Sequence, residues 1–175
     1  MRKKQIKHRN TYANRGQDLE NLLIRTNIQI SAKGWGTIEK VNPPVTIFRK
    51  ERGIIKNGVM KKSTIDFMGH YKGHPVAFDA KETSIKTSFP LKNLEDHQAR
   101  FLGEWHRTGG AAFLIVEFSS LKRYFYLPYT ELAEHLETAR KGGRKSIKLE
   151  DFKHELRTGR GLILDYLKPL EEEQK

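Results

Sequence analysis

Thr64 to Glu82 constrains the fold of this chain more than any other stretch. Two short apolar segments flank Lys72-Gly73, a pair suited to a tight hairpin turn, and acids occupy positions where core residues normally sit. Successive strand residues point to opposite faces. Ile65 and Phe67 are therefore expected on one face, with Thr64, Asp66 and Met68 on the other. On the second strand Val76, Phe78 and Ala80 share a face, and Ala77, Asp79 and Lys81 share the opposite one. With a two-residue turn, Asp66 falls directly across from Asp79, with Lys81 one step diagonal. The stretch predicts an antiparallel hairpin with one apolar face and, on the other, two carboxylates and an amine.

Two facing aspartates repel, and each holds its proton more tightly unless a cation lies between them. A divalent metal removes that cost, and hard oxygen ligands select Mg²⁺, with Mn²⁺ as its substitute. Lys81 lies about 7 Å along the strand from Asp79, near enough to reach a metal-bound water or a phosphate oxygen. Metal, activated water and ammonium are the components of phosphodiester hydrolysis. Asp66 and Asp79 are thus candidate metal ligands and Lys81 a candidate catalytic lysine. The plain alternative is a solvent-exposed polar face on an antiparallel hairpin.

Net charge supports an anionic substrate. The 175 residues carry a formal charge of +12, and the cations are clustered. Residues 2 to 15, which include Arg15, contain no acid. Arg49, Lys50, Arg52, Lys56, Lys61 and Lys62 stand against the single Glu51, and Arg140, Lys141, Arg144, Lys145 and Lys148 form a third group. Clustered charge of one sign implies a polyanion. None of the clusters lies on an amphipathic helix with aromatic anchors, which favours nucleic acid over a membrane surface. No apolar run approaches the length that spans a bilayer, and the N-terminus shows no signal-peptide pattern. Cysteine is absent, which excludes disulfides and cysteine metal sites and is compatible with the expected cytoplasmic location.

Residues 1 to 13 read as a disordered basic arm and 14 to 175 as one domain. A helix is expected from Asn14, an N-cap with Gln17 three residues on, and its apolar stripe is Leu19, Leu22, Leu23 and Ile30. Glu20 borders that stripe. Val45, Ile47 and Phe48 suggest a strand. The basic segment 49 to 63 then reads as an irregular protrusion between two strands. Thr83 to Pro90, with Lys86, is expected to be a polar loop. Asn93 is expected to cap a helix whose stripe is Leu94, Phe101, Leu102 and Trp105. Gln98 falls within that stripe, so it is either the edge of a site or a boundary residue that reaches solvent. Ala111 to Phe118 is the nearly unbroken apolar run of a strand covered on both faces, and Tyr124 to Leu127 is expected to pair with it. Thr130 to Ala139 reads as a helix, and the remainder, including Leu162 to Leu167, as small peripheral elements and an acidic tail. Helices alternating with strands predict an α/β sandwich with a mixed central sheet. His70 and His74 have no third partner at metal-site spacing and read as turn residues. No phosphate-binding glycine loop or nucleophile elbow is present.

Four ordered motifs resemble the RecU family, the Holliday junction resolvases of Gram-positive bacteria and some of their phages. They are Asn14-Arg-Gly-Gln-Asp-Leu-Glu-Asn-Leu-Leu23, Ile65-Asp-Phe67, Phe78-Asp-Ala-Lys-Glu-Thr83 and Thr87-Ser-Phe-Pro-Leu-Lys-Asn93. The resemblance spans roughly residues 14 to 128. It implies a restriction-endonuclease-like PD-(D/E)xK fold and a homodimer that cuts four-way DNA junctions symmetrically with Mg²⁺. It also suggests a recombinase or branch-migration partner. By the same resemblance, Asp66 and Asp79 become metal ligands, Lys81 the catalytic lysine and Glu20 a further site carboxylate. Residues 49 to 63 correspond to the family's basic stalk. With Arg15 and Lys86, the stalk cations Arg49, Lys50, Arg52, Lys56, Lys61 and Lys62 are the expected DNA contacts. Where the family usually carries Glu, this chain has Asp79, one methylene shorter. Two other readings stay open from the residues alone: a nuclease of this fold with another DNA target, and a junction-binding protein that does not cut.

Overall fold

The structure, a computed structural model, describes residues 16–173; the expected basic arm, Asn14 and Arg15 lie outside them. In chain order the elements are α1 (Gln17–Ala32), β1 (Gly36–Lys40), β2 (Val45–Glu51), β3 (Ile54–Met60), β4 (Phe67–Tyr71) and β5 (His74–Thr83). There follow β6 (Ser88–Pro90), α2 (Asp96–Arg107), β7 (Ala111–Phe118), β8 (Arg123–Pro128), α3 (Tyr129–Arg140), β9 (Ser146–Lys148), β10 (His154–Leu156) and α4 (Lys168–Glu173). Six strands form the central sheet in the order β1-β4-β5-β7-β8-β10. Its ladders are antiparallel except β5–β7, which is parallel. A parallel pair needs a crossover, and α2 supplies it. This is the mixed sheet flanked by helices that the sequence predicts.

Alternation along β7 builds both cores. Phe113 and Ile115 face α1 and join Leu19, Leu23, Ile30, Phe67 and Phe78. Leu114, Val116 and Phe118 face the other way, onto Leu102 of α2, Leu132 of α3, and Phe89 and Ile147 of the small β6–β9 ribbon. Burial on both sides explains why this strand reads as a continuous apolar run.

Four expectations change. Helix α1 starts at Gln17, and its N-cap Gly16 offers no side-chain bond. Helix α2 is capped by Glu95 rather than Asn93, whose side-chain amide instead donates to the Glu82 carbonyl (3.4 Å). The segment 49–63 is mostly strand. Val45–Glu51 and Ile54–Met60 form a two-stranded antiparallel hairpin inserted between β1 and β4, with register shifts on either side of Arg49 and a turn at Arg52-Gly53 with positive φ at both residues. Its apolar side chains Ile47, Phe48, Ile55 and Val59 are exposed. Finally, Leu162, Leu164, Tyr166, Leu167 and Leu170 are not peripheral; they seal the α1-side core.

That C-terminal segment is pinned to the β4–β5 turn by charge. The Tyr71 hydroxyl donates to Glu171, joined by Lys72 Nζ (2.9 Å) and Arg160 Nη1 (2.7 Å), while Arg160 also grips Asp165 through two bonds of 2.6 Å. Burial by itself raises the Glu171 carboxyl, but the hydrogen bonds from Tyr71, Lys72 and Arg160 outweigh it and hold the group down at about 2. A carboxyl depressed from its ordinary 4.5 contributes stability that is complete above pH 4.5 and is lost as pH falls towards 2. Because the group is partly exposed, the contribution is about 1–2 kcal/mol. Urea titrations should show Glu171→Gln less stable than the parent by that amount at pH 7, with the gap closing by pH 2.5. An unchanged gap across that range would contradict the assignment.

Candidate active site

The turn at Lys72-Gly73 has φ of 49° and 83°, the left-handed pair that a tight hairpin requires. It fixes the register Tyr71↔His74 through Phe67↔Phe78. The ladder stops at that pair, and Asp66, the residue before it, lies near enough to Asp79 for the two carboxyl groups to interact. Ile65 departs from the expected alternation. The strand ends at Phe67, the chain bends, and Ile65 packs into the α2-side core while Phe67 packs into the α1-side core.

Asp79 and Lys81 lie beside Leu114 and Val116 in the parallel ladder, so they face α2. This face is not the open polar surface of the plain alternative: Asp79 has 0% of its surface exposed. Gln98, one turn into α2, donates from Nε2 to Asp79 Oδ1 (3.1 Å). Its Oε1 accepts the Glu95 backbone N–H (3.2 Å) in a reciprocal capping box, which fixes the orientation of the amide. Gln98 is therefore a direct neighbour of the site, not a boundary residue reaching water. Lys81 Nζ sits 2.5 Å from Asp79 Oδ2. Asp79 Oδ2 thus meets the one ammonium, while Oδ1 is taken by Gln98. Asp66 is set by the backbone: its Oδ2 accepts the Ala80 N–H (3.0 Å), and its carbonyl accepts the Val41 N–H (2.8 Å).

Burial is the largest influence on the Asp79 carboxyl and pushes it up, to about 8; the Lys81 ammonium opposes the rise and the Asp66 carboxylate adds to it. One ammonium does not balance two acids in so dry a place. A fully buried carboxylate beside a second one, with a single ammonium to offset both, fits a hard divalent cation. Among the described residues no cluster of three His, Asp or Glu side chains surrounds a common point. A cation bound here would take its remaining ligands from water or substrate, as Mg²⁺ commonly does.

Glu20 stands apart from this pair. It lies on α1 and is ion-paired with Lys40, the last residue of β1, one position before the Val41 that binds Asp66. Lys40 is a site-edge cation that the sequence does not reveal. Strand β1 is short, has Ile38 as its buried apolar residue, and lies so close to β4 that a Cβ on Gly69 would fall 2.0 Å from the Thr37 carbonyl oxygen. Among the expected DNA contacts, Lys62 is paired with Glu95 (2.5 Å) and Arg49 with Glu51. Lys50, Arg52, Lys56, Lys61 and Lys86 are exposed, with no acid within ion-pair distance among the described residues.

The model of the family described as "Recombination protein U" (RecU) matches residues 14–172. A Holliday junction resolvase RecU from Geobacillus sp. (strain WCH70) is 37% identical over 169 residues, covering 91% of this chain and 84% of the relative. One from Bacillus pumilus (strain SAFR-032) is 35% identical over 178 residues, covering 97% and 86%. One from Limosilactobacillus reuteri (strain DSM 20016) is 34% identical over 154 residues, covering 85% and 76%.

Proposed function

This chain belongs to the RecU family, and from that premise we propose that it is a Holliday junction resolvase, an endodeoxyribonuclease that hydrolyses phosphodiester bonds in four-way DNA junctions. The observation that carries the chemistry is Asp79: fully buried, held by Gln98, contacted by Lys81, and set beside the Asp66 carboxylate. Asp66 and Asp79 would hold a divalent cation, Mg²⁺ or Mn²⁺ in its place, and such an ion supplies an acidified water and charge neutralisation at the phosphate.

The chain's own groups do the rest. Gln98 orients the Asp79 carboxylate, since its amide is locked by the α2 cap. The Ala80 N–H performs the same service for Asp66. Lys81, tethered beside Asp79 on a rigid central strand, donates to the phosphate oxygen on which negative charge grows. Glu20 and Lys40 border the site, where Lys40 offers a second cation to the DNA backbone.

The β2–β3 hairpin is the stalk of a single nuclease domain. Its free cations and exposed apolar side chains suit the open centre of a junction, where phosphates and unstacked bases lie close together. Symmetrical resolution needs two cuts and therefore two copies of the chain, so the working form is a homodimer. The described residues contain no helix long and apolar enough to cross a membrane.

Incubating the purified chain with a four-way junction, a linear duplex and a flap of matched sequence, at one salt concentration, tests the reading. Cleavage of the junction at least about tenfold faster than of the duplex or flap is expected, since four arms engage both subunits at once. Equal cleavage of all three would leave a nuclease of this fold with another target, and tight binding without nicking would leave a junction-binding protein.

A further inference from the structure

The third basic cluster is not absorbed by the site, the stalk or the cores. Arg140 ends α3, Arg144 and Lys145 precede β9, Lys86 precedes β6, and Lys92 and Arg100 lie on the adjoining turn and on α2. All six are exposed. No acid lies within ion-pair distance of any of them among the described residues, whereas nearby Lys141 and Lys148 are paired with Glu137 and Glu150. Separate elements thus converge their free cations on one surface. It is concave on both sides of the β6–β9 ribbon: a groove of about 960 Å³ contains Lys92, Arg100, Arg140 and Lys145, and another of about 630 Å³ contains Lys86 and Arg144. Asp96 is the acid in the larger groove.

This surface is tied to α3 and to β6, and β6 closely follows the catalytic strand in the chain. The Gly142 N–H donates to the Ala139 carbonyl (3.1 Å) and the Gly143 N–H to the Thr138 carbonyl (2.9 Å), folding the turn back on α3. The Leu91 N–H donates to the Lys145 carbonyl (3.1 Å) and the Leu149 N–H to the Thr87 carbonyl (2.9 Å), tying the same turn to β6. Strand β6 follows β5 after four residues, 84 to 87. Lys86 is five residues past Lys81, so their Cα atoms lie within about 18 Å. A duplex carries one phosphate charge per roughly 1.7 Å of axis, so about ten charges fall within that span.

We propose that the α3–β9 turn and the β6–β9 ribbon form a phosphate-tracking surface that grips one duplex arm of the DNA as it leaves the cleavage site. That the arm leaves a cleavage site rests on the nuclease reading above; that the surface binds a duplex backbone does not. Unpaired cations brought together from separate elements, and lining concave surface, suit a phosphate backbone better than a merely solvated face.

The test uses the full chain and fluorescent four-way junctions with arms of about 25 or about 10 base pairs. The variant Arg140→Gln/Arg144→Gln/Lys145→Gln is compared with a charge-matched control, Arg107→Gln/Lys122→Gln/Arg157→Gln, all six positions being exposed. The first variant should bind long-armed junctions on the order of 10- to 100-fold more weakly than the parent. Its plot of log affinity against log salt should be shallower by about 2–3. Its preference for long over short arms should disappear. The control should stay within about threefold of the parent. If both triple variants bind alike, the surface is a solvated face and the proposal is overturned. If binding follows the predicted pattern while the parent nicks no DNA, the phosphate surface stands and the nuclease reading falls.

Discussion

Asp66→Asn should lower metal-dependent junction cleavage on the order of 1,000-fold or more while leaving junction affinity within about threefold of the parent. The substitution keeps the shape of the side chain. An amide oxygen can still accept the Ala80 N–H that the carboxylate accepts at 3.0 Å, so the backbone around the site has no reason to move. The loss is the negative charge that a divalent cation requires. Stability should be unchanged or slightly higher, because the Asp66 carboxylate is among the influences that make the buried Asp79 costly to ionise. Lys81→Ala should give a loss of similar size, since the ammonium that faces the site sits on the same strand and no neighbouring cation occupies its place. Unchanged affinity, retained stability and lost cutting together identify chemistry, and no purely structural role for these residues yields that combination. Undiminished cleavage by both variants would remove the hairpin from the mechanism.

The second large effect concerns the frame that holds this pair. Phe78→Ala should destabilise the chain by about 3–5 kcal/mol, a substantial part of the roughly 5–15 kcal/mol available to a domain. Phe78 is fully buried and stacks between Phe67 and Phe113 at centroid distances of 4.9 and 4.7 Å, with Tyr166 tilted against it at 5.1 Å. Its removal therefore leaves a void among three rings contributed by β4, β7 and the C-terminal segment. Because Asp79 follows Phe78 directly, the variant should also lose activity at temperatures where it is still folded. Urea unfolding measures the first effect; a cost below about 1 kcal/mol would show that the core closes over the gap and that Phe78 is not a keystone of the frame.

The site's acids could be placed from sequence because two independent signals agree there. A Lys-Gly turn fixes the pairing, and the period-two alternation of Val76, Phe78 and Ala80 fixes which side chains turn away from the apolar face. The stripe containing Leu102 likewise brought Gln98 into consideration, although a stripe alone could not decide between a site and the protein's edge. What stayed hidden follows from physics that sequence pattern does not carry. Alternation predicts facing only while the chain stays extended, and a bend before Phe67 sends Ile65 to the other core. The cover that α2 lays over Asp79 is a tertiary fact. Strand β1 is held by close backbone approach at Gly36 and Gly69 rather than by an alternating apolar face, so it left no period to find. The β2–β3 hairpin is exposed along nearly all of both strands and its register shifts around Arg49, so there is no buried alternation to mark it. Leu162 to Leu167 form part of the core from a nearly coil-like path before α4, where neither helical nor strand spacing applies.

The central claim is that Asp66, Asp79 and Lys81 compose a metal-dependent nuclease centre acting on DNA junctions. It is tested most directly by nicking of a synthetic four-way junction, mapped on each of the four strands with Mg²⁺ present and then with the metal chelated. Paired nicks are expected at symmetrical positions on two opposing strands, abolished by chelation and restored by Mg²⁺ or Mn²⁺. Nicks that persist without any divalent metal, or a junction bound tightly and left intact in its presence, would contradict it.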